Sequence, residues 1–182
     1  MFRLSLGSSQ HVADRIYNPA LGGGSLLDIG VYPVFLALDV LGKPDEIAAV
    51  MTPATTGVDE QCAIRFHYAN GALAQLFSSF SVNLATGADI AGTHGRLRLT
   101  HRFHGPTAQL EYYPGPVDTR QLIETERAQG NGYEYEARHV TQCLQQGLTE
   151  SPVRPLRETL LLMETLDAIR KQMGLVYPAD RI

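Results

Sequence analysis

Between Leu26 and Leu41 the apolar residues Leu26, Leu27, Ile29, Val31, Val34, Leu36, Leu38 and Leu41 surround nearly the whole of a 3.6-residue repeat, the pattern of a buried helix. Ser25 stands where an N-cap is expected and Gly42-Lys43-Pro44 stops the run, so the main helix is expected over 25–41. Pro33 removes the bond to the Ile29 carbonyl and is expected to kink that helix just after Asp28. Beyond Pro44 the period falls to two. Alternating stretches at 47–51, 60–68, 72–80, 88–93, 96–101, 108–113 and 121–126 predict seven strands, mostly in meander order, with Ala69-Asn70-Gly71 as a hairpin turn. Residues 2–6 alternate as well and predict one more strand, while 7–21 read as a polar connector. The helical period returns over 132–147, with Tyr133, Ala137, Val140 and Leu144 on one face, and over 155–173, with Leu156, Leu160, Met163, Leu166 and Ile169. Three helices against a mainly antiparallel open sheet spanning about 45–126 give an α+β domain over 1–182, helices on one face and the other open to a partner. The strands carry apolar and polar residues on both kinds of position (Ala63, Phe66, Tyr68, Leu73, Gln75, Phe77, Ser79, Leu97, Leu99, Leu110 and Tyr112), and alternation alone does not say which set points outward.

Composition narrows the class of function. With 182 residues, 44% of them hydrophobic, the chain is long enough for one well-buried domain. A net charge of −4 argues against nucleic acid or an anionic membrane surface as partner. The longest apolar run, Val31 to Leu38, contains Pro33 and falls far short of the roughly 20 residues of a spanning helix, and the first residues lack a signal-peptide core, so a cytoplasmic protein is expected. Cys62 and Cys143 sit in apolar patterns without metal-ligand spacing and are expected to be buried free thiols.

Against the apolar ring of the main helix its polar residues stand out. Asp28, Tyr32 and Asp39 share one stripe, with Asp28 and Tyr32 one turn apart near the helix start. Two accounts fit: a capping carboxylate beside a packed ring, or a pair that handles a proton. Gly22-Gly23-Gly24 lets backbone approach something closely. As a dinucleotide fingerprint it fails, because the third glycine is Leu27 and Pro19 spoils the preceding strand. Arg15, Tyr17 and Asn18 are candidates to line a substrate pocket. His101, His104 and His139 lack flanking ligands and read as surface histidines, so no metal site is expected.

GGGSLLDIGVYPVFLALDVLG, followed near the C-terminus by GYEYEARHVTQCLQQGLTESPVRPLRETLLLMETLDAIRKQMGLVYP, resembles the second domain of the glucose-fructose oxidoreductase and inositol dehydrogenase family, in its dihydrodiol and sugar dehydrogenase branch. Many members carry His at the position of Tyr32. The resemblance implies a two-domain NAD(P)-dependent enzyme that oxidises a secondary alcohol of a small polar substrate, with Asp28 and Tyr32 catalytic. It also implies Gly23 and Gly24 close to a cofactor whose main site lies in a Rossmann domain absent from this chain. That domain would bring the lysine that activates the phenol, since neither Lys43 nor Lys171 matches, so the chain alone is expected to bind neither NAD nor NADP and to be inactive. Members commonly form homodimers through the open sheet face. The competing expectation, of a different class, is a stand-alone module that binds a small polar molecule or only oligomerises.

Overall fold

The Asn70-Gly71 hairpin closes as its sequence demands: Gly71 adopts φ 86°, Asn70 Oδ1 accepts from the Ala72 amide, and Tyr68 and Ala72 close the ladder at 3.1 Å. The computed structural model describes residues 2–5, 15–100, 102–115, 120–123 and 130–181. Strands β1 (Phe2–Ser5), β2 (Glu46–Pro53), β3 (Asp59–His67) and β4 (Leu73–Ser79) form one sheet in the order β1-β4-β3-β2, and β5 (Ala88–Gly92), β6 (Gly95–Thr100), β7 (Gln109–Pro114) and β8 (Gln121–Ile123) form a second in meander order. The mainly antiparallel α+β class therefore holds, with the strands divided between two sheets. β1 pairs parallel along the edge of β4, and β5, the first strand of the second sheet, lies beside β1. The expected strands at 2–6, 96–101 and 121–126 run into Leu6, His101 and 124–126, which lie outside the described residues.

In the first sheet the two-residue period sorts the faces. Ile64 opposite Leu76 and Phe66 opposite Ala74 point into the core, whereas Ala63 opposite Phe77 and Arg65 opposite Gln75 take the outer face. Leu26, Val34 and Ala37 from the main helix and Leu166 and Ile169 from α3 (Leu156–Met173) complete this core. Gly30 lies so close to β4 that a Cβ there would come 2.9 Å from Ser78 Oγ. A second cluster, Tyr17, Ile29, Ala54, Val58, Phe80, Leu175 and Tyr177, seals the end where the helix begins. Cys62 and Cys143 are both free and buried, as expected.

Four expectations need correction. The main helix is not a kinked α-helix from Ser25: Leu26–Gly30 is a π turn, followed by α1 (Val31–Leu41). An α-helical carbonyl at Ile29 would collide with the Pro33 ring, and the wider turn directly before the proline relieves it. Ser25 makes no side-chain cap. Finally, α2 (Tyr133–Gln145) does not lay its apolar face on the sheet: Tyr133, Val140 and Leu144 are 69%, 56% and 70% exposed, and Cys143 is its one buried residue. In α3 Leu156, Leu160 and Met163 are likewise exposed, while Leu166 and Ile169 are buried. The helical run Pro19–Leu41 contains an 18-residue window of mean hydropathy 1.6 and is, by length and composition, apolar enough to cross a membrane, contrary to the reading of its apolar stretch; here it packs on the sheet as a core helix.

Candidate functional site

The junction between the π turn and α1 carries the two side chains singled out from the sequence. Asp28, in the π turn, is 16% exposed and pairs with the Arg15 guanidinium at 2.5 Å. Tyr32, in the first turn of α1, is 40% exposed. Among the described residues no hydrogen bond joins Asp28 to Tyr32; each has a separate neighbour. For Tyr32 it is His104, whose ring stacks on the phenol with centroids 4.3 Å apart and planes at 23°. Phe103 meets the imidazole edge-on at 5.5 Å and is anchored against the core. The loop that brings them there turns sharply: Arg102 has φ 59°, a left-handed conformation unusual for a side-chain-bearing residue, and its carbonyl accepts from the Gly105 amide at 2.7 Å. Burial first, and Arg102 second, hold His104 below its ordinary 6.5, so the imidazole over Tyr32 is neutral at physiological pH. His104 is exposed, in line with the expectation of a surface histidine; nothing in its spacing signals the stack, because the loop and the helix are brought together only by tertiary structure. His101 lies outside the described residues.

The loop before the helix distributes its residues unevenly. Arg15 reaches the site through Asp28. Asn18 turns its Oδ1 back onto the Ala20 amide at 2.9 Å and caps a short 3-10 turn, Pro19–Leu21. Tyr17 is a correction: it is 2% exposed, edge-on to Phe80 at 5.5 Å, and belongs to the second core cluster instead of a pocket wall. Gly23 and Gly24 correct a second expectation. Close approach does occur there, but to this chain: a Cβ on Gly23 would come 2.7 Å from the Asn18 amide, and one on Gly24, at φ +120°, would overlap the Asp59 carboxylate. The space is already filled, and these residues do not fit as a cradle for a dinucleotide.

Chemically, the site is a wall of alternating donors and acceptors at the surface: a carboxylate paired with a guanidinium, one turn from an exposed phenol backed by a neutral imidazole. It can hold a hydroxylated small molecule and pass a proton at the Tyr32 oxygen. Lys43 and Lys171 are exposed and lie after α1 and near the end of α3, so the described residues bring no lysine to the phenol.

Residues 1–98 match the family described as the GFO/IDH/MocA C-terminal domain. Along nearly its whole length the chain is similar to trans-1,2-dihydrobenzene-1,2-diol dehydrogenases: 34% identical to that of Bos taurus, covering 98% of this chain and 55% of the relative. The Homo sapiens protein of the same name is 33% identical with the same coverage. The chain thus spans about half the length of the curated relatives it matches. Among solved structures, an aldose-aldose oxidoreductase from Caulobacter crescentus complexed with glycerol superposes with a TM-score of 0.80 at 20% identity, covering 95% of this chain and 52% of the other. KijD10, a 3-ketoreductase from Actinomadura kijaniata in complex with NADP and TDP-benzene, gives a TM-score of 0.79 at 22% identity, with 94% and 52% covered. Both share the fold.

Proposed function

This chain belongs to the GFO/IDH/MocA family as a C-terminal domain, and from that membership we propose that it is the substrate-holding half of an NAD(P)-dependent oxidoreductase acting on the CH–OH group of a sugar, polyol or trans-diol. The observation that carries the reading is the Asp28–Tyr32 wall with Arg15 and His104. Tyr32 takes the proton of the substrate hydroxyl; the Arg15–Asp28 pair binds and orients a neighbouring hydroxyl. His104 covers one face of the phenol and limits the directions its oxygen can take. A nicotinamide held by the other half of the enzyme supplies the hydride acceptor. A phenol ordinarily keeps its proton at neutral pH, so the cation that helps Tyr32 release it must also come from that half.

The same reading assigns the two open surfaces. The exposed apolar side of α2 would seat the cofactor domain, and the outer face of the first sheet, where Val50 and Leu73 are 69% and 61% exposed among Ala48, Ala63 and Phe77, would pair two-fold with a second copy. We place the protein in the cytoplasm, where its two free thiols would stay reduced. The test is to compare this chain with the protein extended by its upstream coding sequence. The extended protein should bind NAD or NADP in calorimetry and oxidise sugars or diols, and the chain alone should do neither; micromolar dinucleotide binding by the chain alone contradicts the proposal. Light scattering at tens of micromolar should return a dimer, and a monomeric mass would remove the pairing.

A further inference from the structure

The helix that carries Asp28 and Tyr32 begins without a capping side chain of its own. Its first amide, Leu26 N, donates to Asp59 Oδ2 at 2.6 Å, and Ser25 Oγ donates to the same oxygen at 2.8 Å. Asp59 is the first residue of β3 and is 0% exposed, so a carboxylate 33 positions away in sequence fixes where the π turn starts. The surroundings are built for it. Gly24 leaves the space that the carboxylate occupies, Ser25 is fully buried and bonds Ser78 Oγ at 3.1 Å, and Ser78 meets Cys62 Sγ at 3.2 Å. From the C-terminal segment Tyr177 donates its hydroxyl to the Gly23 carbonyl at 2.6 Å and so pins the peptide before the turn. Arg170 lies over the Tyr177 ring at 5.0 Å and pairs with Asp180 and Asp167.

Among the described residues, the titratable groups coupled to the carboxylate are Cys62 from its own strand, pushed up to about 12 by burial, and Tyr177, also raised by burial, with Arg170 and its two acidic partners beyond. Among the described residues no cation pairs with Asp59, and its Oδ1 has no hydrogen-bond partner. Burial pushes the carboxyl up to about 6, against the pull of its bonds to Ser25 and Leu26. An ionised carboxylate kept in such a place makes the fold less stable than a neutral side chain would, and groups held at a cost to stability collect where geometry matters for function.

We propose that Asp59 is a positioning residue: through the Leu26 amide and Ser25 Oγ it sets the start of the π turn, and with it the rotation at which Asp28 and Tyr32 face the substrate. This rests on the reading of Asp28 and Tyr32 as the site. When Asp59 takes up a proton, its charge-assisted bond to Leu26 becomes a weaker neutral one. The new O–H then competes with the Leu26 amide at Oδ2 or sits on Oδ1 without an acceptor. The turn loosens, and turnover falls as pH drops through about 6.

The experiment uses the full-length enzyme and Asp59→Asn, whose amide cannot ionise. The variant should lose roughly 3- to 10-fold in kcat at about pH 8, as expected for losing one charge-assisted bond, with KM for substrate and cofactor within about twofold. Its kcat should no longer fall between about pH 7 and about pH 5, and its Tm at about pH 8 should be at least that of the wild type. A merely structural group would give the reverse, a lower Tm with kcat and KM moving together, and that result overturns the proposal, as does an acid limb left unchanged. The Leu26 amide resonance isolates Asp59 from the reading of the site: it should titrate with a midpoint of about 6 in the wild type and stay flat in Asp59→Asn. Tyr32→Phe at full turnover overturns the reading of the site, whereas a Leu26 amide that does not titrate overturns the role of Asp59.

Discussion

The layer made by the first sheet, the main helix and the end of α3 differs from the helix α2 in one respect, and the difference separates what this chain completes by itself from what it does not. In the first region the sequence pattern and the burial agree: Phe66, Leu26, Val34 and Ile169 are all fully enclosed, and the alternation along β3 and β4 faces apolar residues to the helix. In α2 the amphipathic pattern is just as clear, yet Tyr133, Val140 and Leu144 stand in solvent. A hydrophobic stripe marks a helix face suited to burial; it does not say that this chain supplies the cover.

The largest effect expected from that contrast is on stability. Phe66→Ala should cost about 3–5 kcal/mol in denaturant unfolding of the chain, the range for emptying a closed aromatic site. Leu144→Ala should stay within about 0.5 kcal/mol. Similar losses from both would mean that α2 is packed in solution and that the contrast is false.

A second effect belongs to the buried side of the comparison. Asp59 is raised to about 6 from an ordinary 3.8, so the folded state holds a proton that the unfolded chain has already released between those values. The ionised form is the destabilising one. This group's contribution therefore improves as pH falls from about 7 through about 6 toward about 4, by up to about 3 kcal/mol. Urea midpoints across that window should rise relative to those of Asp59→Asn, and parallel curves for the two proteins would contradict the burial argument.

How far each region was legible in the sequence follows from the range of its contacts. The hairpin at Asn70-Gly71 and the helix from the apolar ring could be read directly, because turn chemistry and periodicity are local. Pro33 announced an irregularity, though not that it would take the form of a π turn. Asp28 and Tyr32 could be named from their spacing and from the family resemblance, but their partners could not: Arg15 arrives from a loop 13 residues upstream, and His104 from a turn between β6 and β7. Asp59 falls just outside the strand expected at 60–68, and nothing in the sequence marks it. The cap it supplies to Leu26 comes from across the fold, and no local pattern encodes it. Tyr17 was misread for the opposite reason, since a polar connector hid a ring that belongs to the core.

The smallest effect in the isolated chain tests the open side. Val140→Asp with Leu144→Asp should change the stability of this chain by less than about 0.5 kcal/mol each, because both residues already face water. In the full-length protein the same pair should weaken the seating of the cofactor domain, visible as faster proteolysis between the halves. Full-length protein that withstands the double substitution unchanged would leave α2 without the proposed cover.

The central claim is that this domain brings the proton-handling side chain to the reaction, and Tyr32→Phe in the full-length enzyme tests it most directly. The ring and its stack on His104 survive the change, and only the hydroxyl is lost. The account predicts a fall in kcat of roughly 10²-fold or more with cofactor affinity unchanged; turnover equal to that of the wild type would contradict it.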